Sequence, residues 1–211
     1  MRISQAAFDL IWQEETGGRA YYMSSHEASC DWPGGASGVT IGGFYDLGYC
    51  THDEFRRDWG GKLSLAMLDQ LEDVIGITGH PADSHAAELH SSVDVPYDTA
   101  MEVFTNREIP KWEAIVAQLP NADKLPPDCF GALVSLAMNR GNEFQTMRRR
   151  LNDTIDRYRE MRLIYQDMTA QRFNQIPALF RSMQRLWLTG SDLWKRREHE
   201  ATLFEKGLAN G

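Results

Sequence analysis

Apolar residues return at helical spacing from the first turn of the chain. Ile3, Ala7, Leu10 and Ile11 share one face and Gly17-Gly18 supplies a stop, so residues 3–16 read as an amphipathic helix. The pattern changes over 20–50. Trp32-Pro33-Gly34-Gly35-Ala36-Ser37-Gly38 is turn material, and Val39-Thr40-Ile41 alternates as a short strand does. Thr51-His52-Asp53-Glu54 has the spacing of a capping box, which starts a helix. Helical patterns follow at 52–59, 64–75, 81–90, 97–118, 127–139, 148–168, 170–187 and 191–206, with Pro110 expected to kink or split 97–118. This layout predicts a predominantly helical α+β fold in one domain, 1–211. A small β-hairpin lobe is expected over about 14–60, and a larger helical lobe over about 61–211 that also takes helix 1. A cleft between such lobes is the usual place for a site.

Composition narrows the function classes. The 211 residues are 42% apolar and 10% aromatic, which is enough to bury a core and excludes wholesale disorder. No apolar stretch nears the ~18 residues of a membrane span. Asp9, Gln13, Glu14 and Glu15 interrupt the first helix, so it does not read as a secretory signal. A net charge of −8 argues against a general nucleic-acid partner. The charge is uneven: residues 1–125 hold 8 Lys+Arg against 20 Asp+Glu, and residues 126–211 hold 14 against 10. The basic runs Arg148-Arg149-Arg150 and Lys195-Arg196-Arg197 read as solvated helix faces, the first with a second reading as a patch that approaches an anionic polymer. Cys30, Cys50 and Cys129 show no metal-ligand spacing, and the six histidines are scattered, so no metal and no cofactor is expected. Cys129 reads as a small core residue, and a bridge between Cys30 and Cys50 is left open.

The chemistry-bearing residues concentrate in 14–50. A helix-end carboxylate, Glu14 or Glu15, precedes a glycine-rich segment, Gly38-Val39-Thr40-Ile41-Gly42-Gly43, and then Asp46. A tight turn brings Thr40 and Asp46 to one wall. Two carboxylates across a cleft are what glycosidic cleavage needs: one protonated to donate to the leaving oxygen, the other charged to activate water. A helix-end Glu beside an apolar stripe suits the first role, and Asp46 on a polar loop the second. Helical spacing alone does not choose between Glu14 and Glu15.

The segments Glu14-Glu15-Thr16-Gly17-Gly18-Arg19-Ala20-Tyr21-Tyr22, Trp32 to Gly42, and Tyr45-Asp46-Leu47-Gly48-Tyr49 resemble the active-site region of the phage-type lysozyme superfamily, nearest the pesticin-like muramidase branch. Ser37 to Gly48 keeps that branch's spacing, with Asp46 six residues after Thr40. Phe130 to Gly141 resembles the family's core helix, and 181–200 its closing helices. The resemblance implies a lysozyme-like fold with Glu15 as general acid, since it precedes Tyr22 by the family's seven residues. It implies Asp46 as second carboxylate and Thr40 as the hydroxyl that holds the attacking water. Tyr22, Trp32, Phe44 and Asn139 are the expected substrate contacts, and Arg196 or Arg197 the basic residue near the acid. Phe44 departs from the family, which has a second glycine there; its ring is expected to narrow the cleft, shift the turn or face a sugar.

The implied activity is hydrolysis of the β-1,4 bond between N-acetylmuramic acid and N-acetylglucosamine, with inversion. The other readings are a chitinase, a chitosanase or a lytic transglycosylase on the same carboxylates, or a glycan-binding module that has lost activity. The expected partners are peptidoglycan strands, with an immunity protein, holin or secretion machinery beside them. The chain is expected to be a monomer, made in the cytoplasm and delivered to the wall by another machine.

Overall fold

The computed structural model describes residues 2–25, 30–146 and 154–211. The protein is mostly helical (66%), with one two-stranded antiparallel sheet, so it is a predominantly helical α+β protein. The elements used below are α1 (Gln5–Thr16), α2 (Arg19–Ser25), β1 (Thr40–Ile41), β2 (Tyr45–Asp46), α3 (His52–Trp59), α4 (Leu65–Glu72), α5 (His80–Leu89), α6 (Tyr97–Val103), α7 (Ile109–Val116), α8 (Pro127–Arg140), α9 (Arg159–Thr169), α10 (Ile176–Met183) and α11 (Asp192–Asn210). A single π-helical turn, Phe104–Glu108, separates α6 from α7. Among the described residues no helix is long and apolar enough to cross a membrane.

The chain forms two compact units, one of Met1–Ile11 with Ile109–Gly211 and one of Trp12–Glu108. The boundaries fall inside α1 and after Glu108, so the second unit takes in the expected 14–60 segment and continues past it. The charge follows this division. Residues 12–108 hold 5 Lys+Arg against 17 Asp+Glu, and the rest hold 17 against 13.

The first unit is built on α8. Its residues Cys129 to Ala137 are all buried, as expected of a helix that is apolar on every side. Helices α7 and α11 pack on it, and α10 packs on α11. The approaches are close: a Cβ on Gly131 would stand 2.2 Å from Ala7 Cβ, and one on Gly207 would stand 2.6 Å from Cys129 Sγ. Cys129 is fully buried and its thiol donates to the Phe204 carbonyl at 3.1 Å. Burial pushes that thiol up to about 12 and Cys30 up to about 11, so both stay protonated and unreactive. All three thiols are free.

The run Lys195-Arg196-Arg197 corrects the expectation of a solvated face. Lys195 is exposed, whereas Arg196 and Arg197 are 3% and 0% exposed. The expected helices at 148–168 and 170–187 are shorter, as α9 and α10, with 3₁₀ turns at Phe173–Gln175 and Gln184–Leu186. Arg148, Arg149 and Arg150 lie outside the described residues.

Between α9 and α10 sits a buried carboxylate, Glu160. It accepts from Arg185 Nε and Nη2, both at 2.9 Å, from Arg159 Nη2 at 2.7 Å and from Ser182 Oγ at 3.0 Å. Burial alone would raise its pKa, but the Arg185 and Ser182 hydrogen bonds and its own backbone outweigh that and hold it below the usual 4.5. The folded state therefore gains stability from this group above the unfolded value, and loses it as pH falls through the depressed folded one. Thermal melts of the wild type and Glu160→Gln should differ most near neutral pH and converge in acid. A gap that is constant from neutral to acid pH would exclude this contribution.

Candidate active site

The candidate residues Glu15, Thr40 and Asp46 all belong to the unit Trp12–Glu108. Glu15 lies in the last turn of α1, half-buried, with Oε1 screened from solvent. The helix stops because Gly17 and Gly18 take positive φ of 70° and 86°, a conformation that side chains disfavour. Thr16 Oγ1 donates to the Trp12 carbonyl at 2.7 Å and accepts from Gly18 N at 3.3 Å, which closes the end.

The chain restarts at once as α2, a helix the sequence pattern did not disclose. Its anchor is Tyr22, which corrects an expectation. The side chain is fully buried and its hydroxyl donates to the Val95 carbonyl at 2.7 Å. Its ring lies 5.3 Å from Tyr97 and 6.5 Å from Trp12, whose indole N–H donates to Tyr97 Oη at 2.5 Å. Tyr22 thus holds α2 in place and presents no surface to a substrate.

The hairpin forms as the glycines require. Gly42 and Gly43 have φ of 63° and 78°, and Phe44 N donates to the Ile41 carbonyl at 3.3 Å, so the three-residue connection between the paired Ile41 and Tyr45 turns on two left-handed positions. Both left-handed positions are therefore glycine, and Phe44 falls where any residue is tolerated. Its ring packs against Trp12, Tyr45, Trp59 and Phe104 at 4.9–6.5 Å between centroids. Packing of this half-buried ring accounts for the residue without a sugar.

Thr40 and Asp46 are direct cross-strand partners. Thr40 exchanges both backbone bonds with Asp31, at 2.7 and 2.9 Å, so its pairing with Asp46 is the non-hydrogen-bonded kind, with side chains on one face and Cα atoms about 4.5 Å apart. Among the described residues the hydroxyl of Thr40, a residue 8% exposed, makes only a long contact of 3.5 Å to the Gly38 carbonyl. Asp46 is anchored through one oxygen. Oδ1 accepts from Gly38 N at 2.9 Å and Gly48 N at 2.8 Å, while Oδ2 has no hydrogen-bond partner among the described residues. The glycines permit this. A Cβ on Gly38 would stand 2.3 Å from Gly48 N, so only bare backbone lets the segments that precede β1 and follow β2 meet there.

This anchoring separates two substitutions. Asp46→Asn keeps an oxygen for both amides, so its stability should stay within about 1 kcal/mol of wild type. Asp46→Ala strands two amides that served a charged acceptor, and should cost about 2–4 kcal/mol. Urea denaturation of both variants tests this; equal losses would show that the Oδ1 bonds contribute nothing.

The remaining candidates are placed as follows. Trp32 is half-buried, donates its indole N–H to the Ser37 carbonyl at 2.9 Å and lies 5.3 Å from the His80 ring, so it ties its own loop. Asn139 is half-buried in the last turn of α8, in the other unit, and its Oδ1 is screened from solvent with no partner among the described residues. Arg196 and Arg197 meet Glu200 at 3.4 and 2.9 Å in that same unit. Among the described residues no cluster of His, Cys, Asp and Glu is arranged to hold a metal ion.

The sequence reading did not find the polar group behind the hairpin, made of Asp58, Arg107, Glu108 and the Tyr45 hydroxyl. Only Tyr45, inside the glycine-rich motif, gave a signal for it. Burial above all drives the Tyr45 phenol far above its usual range, so it is a permanent hydrogen-bond donor. No protein-family model matches the chain, and no curated protein matches it.

Proposed function

We propose that the protein is a peptidoglycan muramidase with a lysozyme-like fold, cleaving the N-acetylmuramic acid to N-acetylglucosamine bond with inversion. The observation that carries the reading is the pairing of Thr40 with Asp46. A carboxylate fixed through one oxygen by two backbone amides keeps its other oxygen for chemistry, and the hydroxyl opposite is held only loosely. That is a fitting cradle for a water molecule: Asp46 Oδ2 takes its proton and Thr40 Oγ1 orients it. Glu15, at the end of α1, supplies the proton for the leaving oxygen. A hydroxyl beside the second carboxylate favours an attacking water over a covalent sugar–enzyme bond, and hence inversion.

The test is loss of turbidity in a cell-wall suspension, followed by mass and NMR analysis of the released sugars. A hydrolase gives hydrated reducing ends, and an inverting one gives the α-anomer first. Anhydro ends would instead identify a transglycosylase. Binding without cleavage would identify a glycan-binding module, and cleavage confined to chitin or chitosan would move the substrate. Peptidoglycan as partner, and delivery from the cytoplasm by a holin, phage particle or secretion machine, belong to the same proposal.

A further inference from the structure

Strands of two residues have too short a ladder to hold themselves, so the hairpin depends on what its side chains grip. Successive residues of β2 point to opposite faces. Asp46 faces Thr40 and the glycine amides; Tyr45 faces inward, fully buried, with Trp59 at 5.4 Å and Phe55 at 6.4 Å. The inner face also carries a polar strut. Tyr45 Oη donates to Asp58 Oδ2 at 3.0 Å, and the same oxygen receives Arg107 Nε at 2.5 Å. The Arg107 guanidinium lies 4.2 Å above the Tyr45 ring and also pairs with Glu108. The Asp58 and Glu108 side chains are 8% and 9% exposed, so these bonds work largely out of water, where charge-assisted contacts are strong. Arg107 gets there through the π-helical turn Phe104–Glu108, a wide turn of the kind that often marks functional positions. The same turn places Phe104 4.9 Å from both Phe44 and Trp12.

We propose that Arg107 is a positioning residue for Asp46: through Asp58 and Tyr45 it clamps β2 from behind and so fixes where the free oxygen of Asp46 points. The inference rests on the reading of Asp46 as the base. Without Arg107, the cations on Asp58 among the described residues reduce to Arg57, whose side chain is 66% exposed, at 3.1 Å, so the carboxylate that accepts from Tyr45 is no longer fixed from the inner side. The strand then shifts, and Asp46 is the next residue along. Misplacement of a catalytic group by about 1 Å can cost a hundredfold in rate.

The experiment has two readouts on wild type, Arg107→Gln, Arg107→Lys and Tyr45→Phe. The first is the amide NMR signals of Gly38 and Gly48, whose N–H groups report Asp46 directly and need no activity. They should move in Arg107→Gln and Tyr45→Phe, and return part-way in Arg107→Lys, which keeps the charge. The second is kinetics on soluble wall fragments: kcat should fall about tenfold in Arg107→Gln with KM within about twofold, since the strut lies on the inner face of β2, opposite Asp46. Unmoved Gly38 and Gly48 signals overturn the proposal whatever the kinetics. An inactive wild type rejects the muramidase reading alone, and the amide signals then decide the clamp. Should Arg107→Gln fail to fold, Tyr45→Phe, which keeps the ring, carries the test on the same two amides.

Discussion

Replacing Glu15 by Gln should abolish turnover of cell-wall glycan while leaving the fold intact. The amide has the shape of the carboxyl group, so the end of α1, closed by Thr16, Gly17 and Gly18, is undisturbed. What it lacks is a proton to give. A sugar alkoxide is a poor leaving group, and general acid catalysis is worth about a hundredfold to ten-thousandfold. The expected loss is therefore at least about a hundredfold in kcat, measured as reducing ends released from wall fragments. A second substrate makes the result specific. A glycoside with an acidic phenol as leaving group departs without a proton, so Glu15→Gln should recover much of its rate there. Full activity on the wall would remove Glu15 from the mechanism. An equal loss on both substrates would assign it to binding rather than proton transfer.

Residues whose conformation is dictated locally were the legible ones. Gly17-Gly18 ends α1, Gly42-Gly43 turns the hairpin, and the Thr51–Glu54 capping box opens α3 with both of its reciprocal bonds. The long apolar run of α8 also reads directly, because burial on all sides leaves no polar face to hide it. What tertiary contact decides was not legible. Helix α2 has seven residues and one buried side chain, too few to make an apolar stripe. Pro110 promised a break within 97–118. The regular helix does give way there, at Phe104–Glu108, the turn just before Pro110, which sits in the first turn of α7 where a missing N–H is tolerated.

At the candidate site, the spacing of Thr40 and Asp46 correctly placed them opposite one another. It could not show that Asp46 also holds the hairpin together, because its bonds go to backbone amides that every sequence has. Nor could spacing show where Tyr22 points. A tyrosine between Tyr21 and Met23 on a short helix gives no sign of the Val95 carbonyl that receives it, 73 positions along the chain. Arg196 and Arg197 fail for a related reason. A basic run is indistinguishable from a solvated face until the carboxylate that neutralises it is seen.

That carboxylate is Glu200, and its removal should be the most destabilising single change in the unit built on α8. Glu200 is fully buried and accepts from Ser135 Oγ at 2.6 Å, Arg197 Nη2 at 2.9 Å and Arg196 Nε at 3.4 Å. Arg196 Nη2 also reaches the Ser135 carbonyl at 3.0 Å, which ties α11 to the middle of α8. Replacing such a network whole by apolar residues is often neutral, but removing one member leaves the others charged and without water. Glu200→Gln keeps the volume and one acceptor oxygen, so the loss reports charge rather than a cavity. About 3–5 kcal/mol is expected, the usual cost of breaking a buried pair. In a chain of this size that lowers the melting temperature by about 6–20 °C. Ser135→Ala, which removes one neutral donor, should cost about 1 kcal/mol. Melting of Glu200→Gln within about 2 °C of wild type would show that Arg196 and Arg197 do not depend on Glu200 for their charge balance.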